Sequence, residues 1–451
     1  TSPAMREKMI REFQFGTRSV AVISGAGKAL PVDALVLTMS GWRRIGSLTV
    51  DDAVIGRDGC ATPILGVYPQ GEREIYRVSF SDGVSVECDD EHLWLTETSV
   101  QRHSAAQARY KGRRPPVSCT PTVKTLREIR GTLKARHRIS LTDPVKFSSA
   151  ATPIDPYLLG ALLGDGNLTG GNVRIAVGDE ELLTHLGRVL PDGIEIRFQS
   201  GLYHGLVSRS WVGPGQPNPL RVALRDLSLV GLRAWEKFVP ETYKFNDPMT
   251  RLAVLQGLLD TDGEARRHNA IHFVTTSPRL AEDVSFLAQS LGGTARTVTH
   301  DEASQRRYYR VYIALPNGTV PFRLSRKVSR IRRRHARNVA RRLITSVEYV
   351  GIKPAVCIKV AAADGLFVVD GFVLTHNTGI SLHHVVDIPG QAKGRRHMIV
   401  VDYDWSAQDF KQSLGRVDRS GQRSAPRITP LSTGQAGEKK FLATIANRMR
   451  N

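Results

Sequence analysis

Two apolar segments, each closing on Asp-Gly, limit what this chain can fold into more than any other feature. They read Leu158-Leu159-Gly160-Ala161-Leu162-Leu163-Gly164-Asp165-Gly166 and Leu255-Gln256-Gly257-Leu258-Leu259-Asp260-Thr261-Asp262-Gly263. Their separation of about a hundred residues points to an internal duplication. On either side the texture is that of strands. From Ala29 to about residue 145 the chain reads as all-β, in short alternating runs such as 34–37, 53–56 and 75–80. Ser81-Asp82-Gly83 marks a tight turn before residues 84–88. Strand-like sequence resumes at 344–350 and 356–360. After Thr378 the pattern shifts to helix-and-strand alternation, ending in a helical tail over 438–449.

A length of 451 residues suits several domains rather than one. The net charge of +20 points to a polyanionic partner, most often nucleic acid. Four cysteines (Cys60, Cys88, Cys119 and Cys357) fit neither a zinc site nor a disulfide framework, which suits a reducing, cytoplasmic setting. No apolar run approaches the roughly 18–20 residues of a membrane span, and no signal-peptide pattern stands at the start.

The tripeptide His376-Asn377-Thr378 is chemically suggestive. An Asn side-chain amide can attack its own carbonyl and cut the chain after it. A preceding His can handle protons, and a following hydroxyl can hold an acyl group. The segment 371–378, together with Ala29-Leu30-Pro31-Val32-Asp33-Ala34-Leu35-Val36-Leu37 and Gly41-Trp42-Arg43-Arg44-Ile45, resembles the two end blocks of an intein. The resemblance covers residues 29–377 and implies splice junctions at Lys28–Ala29 and Asn377–Thr378. Ala29 has no nucleophilic atom, whereas most inteins begin with Cys or Ser. His92-Leu93-Trp94 and Cys357-Ile358-Lys359-Val360 resemble the internal blocks of class 3 inteins, with Trp94, Cys357 and Thr378 matching that signature. A lone Cys or Trp among apolar residues is usually core; here the whole constellation argues for function. The resemblance implies that His92 polarises the Lys28–Ala29 amide, Cys357 attacks the Lys28 carbonyl, Thr378 takes the acyl group, and Asn377 cyclises with help from His376. It implies that Trp94 packs beside the junction. Asp89 stands where many inteins have Thr.

The two Asp-Gly segments resemble the paired motifs of a LAGLIDADG homing endonuclease. That family implies two helices packed through small residues, here Gly160 with Ala161, and Gly257. It implies that Asp165 and Asp262 hold a divalent metal, expected to be Mg²⁺, over a scissile phosphate. Asp260 matches a position that is more often structural. The run Arg326, Lys327, Arg330, Arg332, Arg333 and Arg334 is expected to contact double-stranded DNA.

Joining the flanks brings Gly27-Lys28 to Thr378, but Val22 stands where a P-loop needs its first Gly. Residues 378–383 resemble motif V of superfamily 2 helicases. Gln412, Arg416 and Arg419 resemble motif VI, whose guanidinium groups reach ATP in the complete helicase. Residues 437–441 resemble strawberry notch-type members. The expected order is a helicase fragment over 1–28, the N-terminal part of an all-β HINT (hedgehog/intein) splicing domain over 29–148, an α+β LAGLIDADG insert over 149–325, a basic linker with the C-terminal part of the splicing domain over 326–377, and an α/β helicase segment over 378–451. Two other readings stand beside it. One is a splicing-inactive endonuclease; the other is a DNA-binding protein that does not cut.

Overall fold

The computed structural model describes residues 28–113, 116, 119–209, 218–266, 270–301, 307–331, 341–376, 397–400 and 427–430. The β module begins with β1 (Leu30–Pro31), β2 (Leu35–Thr38), β3 (Gly41–Arg44), β4 (Ala53–Ile55), β5 (Ala61–Phe80), β6 (Ser85–Asp89), β7 (Leu93–Glu97), β8 (Thr122–Thr125) and β9 (Arg138–Ile139). Two helices interrupt it, α1 (Ser99–Tyr110) and α2 (Leu126–Gly131). Each opens on a capping box, Thr98 with Gln101 and Thr125 with Glu128, which satisfies two otherwise orphaned backbone donors. The first part of the module is therefore not purely β, as its sequence texture suggested. Only Ala105 of α1 is buried, so that helix lacks the apolar stripe that betrays a helix in sequence.

The duplicated insert follows. Its first half is α3 (Pro156–Asp165), β10 (Gly166–Asn167), β11 (Arg174–Ala176), α4 (Glu180–Gly187), β12 (Ile194–Ser200), β13 (Tyr203–Ser208), α5 (Pro219–Asp226) and α6 (Glu241–Lys244). Its second half is α7 (Pro248–Asp262), β14 (Gly263–Arg266), β15 (Ala270–Thr275), α8 (Pro278–Ser290), β16 (Thr294–His300), β17 (Tyr308–Ala314) and α9 (Ser325–Val328). The two four-stranded antiparallel sheets have the same order, β10-β11-β13-β12 and β14-β15-β17-β16. Both long helices start identically. Asp155 and Asp247 act as N-caps, each accepting two amides of the first turn, with Pro156 and Pro248 at the first helical position.

Those helices touch backbone to backbone. A methyl group on Gly160 would lie 2.2 Å from the Val254 carbonyl oxygen, and one on Gly257 would lie 2.2 Å from that of Tyr157. Their leucines fill the insert's core, which also receives Val328 and Ile331. Residues 325–331 thus pack with the insert, although the sequence suggested a basic linker beginning at 326.

The chain returns to the β module through β18 (Arg342–Val360), β19 (Leu366–Val369) and β20 (Val373–His376). β18 pairs with β5 over nearly its whole length, from Ile344 against Phe80 to Val360 against Ile64. The principal path of the twelve-stranded sheet is β3-β2-β19-β20-β7-β9-β18-β5-β4. Strands from both sides of the insert thus alternate in one sheet, and neither part can complete the core alone. Beyond it, β21 (His397–Val400) and β22 (Arg427–Pro430) pair in parallel.

A smaller apolar cluster joins module and insert, in which Trp42, Phe372, Phe286, Phe245 and Phe147 form a chain of edge-to-face pairs 5.1–5.3 Å apart. Phe372 sits in the left-handed region at φ 56°, a costly conformation for a bulky residue. The Arg251 guanidinium, fully buried, donates to the carbonyls of Asn246 at 2.9 Å, Ser290 at 2.8 Å and Val145, tying the connecting segment to α7 and α8.

Candidate functional sites

At the first junction, β1 sets the geometry. Leu30 pairs with Val356 and Pro31 with Ala355 in antiparallel register. Extending that register by one residue sets Ala29 opposite Cys357, across strands whose Cα atoms are about 5 Å apart. Ala29 is fully buried and Cys357 is 4% exposed. The Cys357 thiol donates to the Ile358 carbonyl at 3.6 Å. On the other side lies the end of β6: the Asp89 amide donates to the Ala29 carbonyl at 3.0 Å, and the Ala29 amide donates to the Asp89 carboxylate.

His92 lies one turn beyond Asp89, and its amide donates to the Asp89 carbonyl at 3.2 Å. The His92 ring nitrogen Nε2 shares a short hydrogen bond with the Thr375 hydroxyl. His376 pairs with Leu93 across β20 and β7. Residues from the start, middle and end of the module therefore adjoin one another. Trp94 is fully buried and packs edge-on to the His92 ring at 5.6 Å. Asn377 and Thr378 lie outside the described residues, as do Gln412, Arg416 and Arg419.

Burial, then the neighbouring His376 and Lys28 charges, push the His92 pKa down to about 3. The imidazole is therefore neutral at physiological pH and can accept a proton but is a poor donor. Asp89 goes the other way. Burial raises its carboxyl to about 7, against the opposing pull of the Ala29 amide and Arg73. Cys88, also buried, is held as a thiol. None of the four cysteines forms a disulfide.

The second site lies where α3 and α7 end together. Asp165 and Asp262 close the two helices and interact electrostatically. Surrounding protein atoms and the negative charge of Asp165 push the Asp262 carboxyl up to about 7, although its side chain keeps a solvent-open face. The Asp165 carboxyl is raised by burial too. Crowded carboxylates with an open face suit a divalent cation, which relieves their repulsion.

Sequence reasoning missed the lysines here. Lys237 donates to the carbonyls of Leu162, Gly164 and Gly166 at 3.1, 2.8 and 2.8 Å. Lys327 donates to those of Leu259, Asp260 and Gly263 at 2.7, 2.8 and 2.7 Å. Each ammonium caps the negative end of one helix, and both are pushed down to about 8 by burial. Lys327, expected on a DNA-facing surface, is instead 6% exposed with its donors committed to α7. The only sequence signal for Lys237 is a lysine set before the apolar pair Phe238-Val239. Arg326 is exposed but pairs with Asp179 at 2.6 Å, and Arg330 is exposed near the Ala265 carbonyl. Arg332, Arg333 and Arg334 lie outside the described residues. Asp260 accepts from the Tyr157 hydroxyl at 2.8 Å and the Arg323 amide at 2.9 Å, a structural role. No group of three or more His, Cys, Asp or Glu side chains that could hold a metal ion occurs among the described residues.

Residues 249–350 match the model of the LAGLIDADG-like domain, and residues 372–451 match the C-terminal domain on Strawberry notch homologue. The replicative DNA helicase DnaB of Mycobacterium intracellulare is 30% identical over 382 residues, covering 80% of this chain and 61% of that protein. The protein strawberry notch homolog of Caenorhabditis elegans is 37% identical over 75 residues, covering 17% of this chain and 4% of that protein. The chain thus spans less than two thirds of the length of these curated relatives. Among solved structures, a crystal structure of the MchDnaB-1 intein is 13% identical, covering 78% of this chain and 100% of that one, with a TM-score of 0.23. The chain is multidomain, with a large antiparallel β module, a LAGLIDADG-like domain and a helicase C-terminal domain. The chain is similar to a replicative helicase and to an intein structure, and it carries a LAGLIDADG-like domain and a segment that matches a helicase C-terminal domain.

Proposed function

We propose that this chain splices itself, excising residues 29–377 and joining Lys28 to Thr378, and that its insert is a site-specific double-strand DNA endonuclease. The observation that carries the splicing reading is the register of β1 on β18, which, extended by one residue, sets Ala29 opposite Cys357. A chain without a nucleophile at its first position needs one supplied from elsewhere, and this register supports the thiol of a class 3 intein. Cys357 Sγ attacks the Lys28 carbonyl, aided by His92, and forms a thioester. The Thr378 hydroxyl then takes the acyl group. Asn377 cyclises beside His376 and releases the intein, and an oxygen-to-nitrogen shift completes the Lys28–Thr378 peptide. Holding the thiol and carbonyl in register replaces an encounter between groups far apart in sequence.

In the nuclease, Asp165 and Asp262 would hold Mg²⁺, which supplies charge neutralisation at phosphate and an activated water when bound. Lys237 and Lys327 fix the two helix ends and place positive charge beside the carboxylates. Exposed Arg174, Arg197, Arg266 and Arg296 on the two sheets, with Arg326 and Arg330, supply a phosphate-tracking surface. The substrate is the uninterrupted host helicase gene. The complete spliced helicase would bind ATP and nucleic acid.

An Asn377→Ala variant tests the splicing order. It should accumulate a branched chain with the N-terminal segment on Thr378. Failure to form any branched species, in a folded protein, would contradict the reading. The nuclease is tested by incubating duplex DNA of the joined host site with Mg²⁺. Double-strand cutting supports it, and binding without cutting favours a DNA-binding protein alone.

A further inference from the structure

We propose that Asp89 is the acid that protonates the departing Ala29 amine when the Lys28–Ala29 bond is cut. The inference rests on the splicing reading above and assigns the proton that this reading leaves without a donor. Three observations carry it. The Asp89 carboxylate accepts the amide of Ala29, so it touches the nitrogen that must leave. Its backbone amide holds the Ala29 carbonyl at 3.0 Å, which fixes that contact from both sides. The other carboxyl oxygen, Oδ1, is buried without a hydrogen-bond partner, an arrangement costly for a carboxylate and tolerable for an acid.

The alternative donor, His92, stands at the other atom of the scissile bond: its ring hydrogen-bonds with the Lys28 backbone, not with the Ala29 nitrogen, and Nε2 is engaged by Thr375. Its depressed pKa leaves almost no imidazolium to donate. Asp89, raised to about 7, is near the balance of acid and base forms at neutral pH, where general acids work best. The groups that set this balance are Arg73 on β5, the Ala29 and His92 amides, which favour the carboxylate, and Glu91, which opposes it. Cys88, the preceding residue, stays a neutral thiol.

The step balances. Cys357 Sγ bonds to the Lys28 carbonyl carbon, and the carbon–nitrogen bond breaks. The electron pair of that bond stays on nitrogen and takes the Asp89 proton, giving the free Ala29 amine. The proton released by the Cys357 thiol returns the Asp89 carboxylate to its acid, so none is gained or lost overall.

The test refolds the full chain from urea with hydroxylamine present, which intercepts the thioester, and follows release at Lys28 against pH. In the wild type, release corrected for thiol ionisation should fall as pH rises through about 7, as the acid form is lost. Asp89→Asn should slow release about 100-fold and abolish that fall. Cleavage after Asn377 should continue, showing that the module has folded. Asp89→Glu should recover part of the rate and the fall. Asp89→Asn releasing at the wild-type rate, or keeping the same fall, would overturn the proposal. So would a wild-type profile that is flat through neutrality, which decides the matter even if Asp89→Asn does not fold. Release that survives Cys357→Ala strikes the underlying thiol mechanism instead, so the two failures are told apart.

Discussion

At the residue scale, the two sites place carboxyl groups where water alone would not keep them charged. Asp165 and Asp262 end paired helices, and the raised Asp262 pKa means that the folded protein holds a proton there more tightly than the unfolded chain. Stability contributed by the protonated form is therefore lost as pH rises from about 4 through about 7. Asp89 contributes with the same sign. A cation at the paired carboxylates competes with that proton. Mg²⁺ should accordingly raise the melting temperature more at pH 8 than at pH 6, and Asp165→Asn with Asp262→Asn should remove the difference. A shift independent of pH would argue against these carboxylates as ligands. The acids were legible in sequence because each follows a leucine-rich helix. Lys327 was not. A lysine within an arginine-rich run looks solvated, and only the end of α7 shows that its three donors turn inward.

At the scale of elements, α3 against α7 is the axis of the insert. Gly257→Ala would drive a methyl against the Tyr157 carbonyl at 2.2 Å and the Ala161 amide at 2.6 Å. It should destabilise the insert by about 1–3 kcal/mol in chemical denaturation. An unchanged midpoint would mean that the helices do not approach so closely. The helix pair was readable because glycines interrupt both apolar segments. The aromatic chain from Phe147 to Trp42 was not, since its members lie in separate segments and meet only in three dimensions. Phe286→Ala removes its centre and the support beneath Phe372. A loss of about 3 kcal/mol is expected, read as a lower melting temperature. The slowing of cleavage after Asn377 should accompany it, because Phe372 leads directly into β20.

Across the whole molecule, a β module is threaded through both sides of an insert with its own core. The order of blocks was legible because strand-like texture stops near residue 145 and resumes after 344. The closeness of the distant ends was not. It depends on β18 lying between β1 and β5, a pairing no local pattern encodes. The net charge of +20 belongs to this scale. Affinity for duplex DNA should fall steeply as salt rises from 50 to 200 mM, by roughly 10³-fold or more if six or more phosphates are neutralised. Weak salt dependence in a binding titration would contradict a phosphate-tracking surface. Among the described residues, no helix is long and apolar enough to cross a membrane.

The central claim is that Cys357, rather than Ala29, begins a splicing reaction. Intact-mass measurement of the wild-type chain beside Cys357→Ala tests it most directly. The wild type should yield the excised segment 29–377 and the joined flanks, while Cys357→Ala should show no release at Lys28. Persistence of the full-length wild-type chain, or cleavage at Lys28 without the thiol, would contradict it.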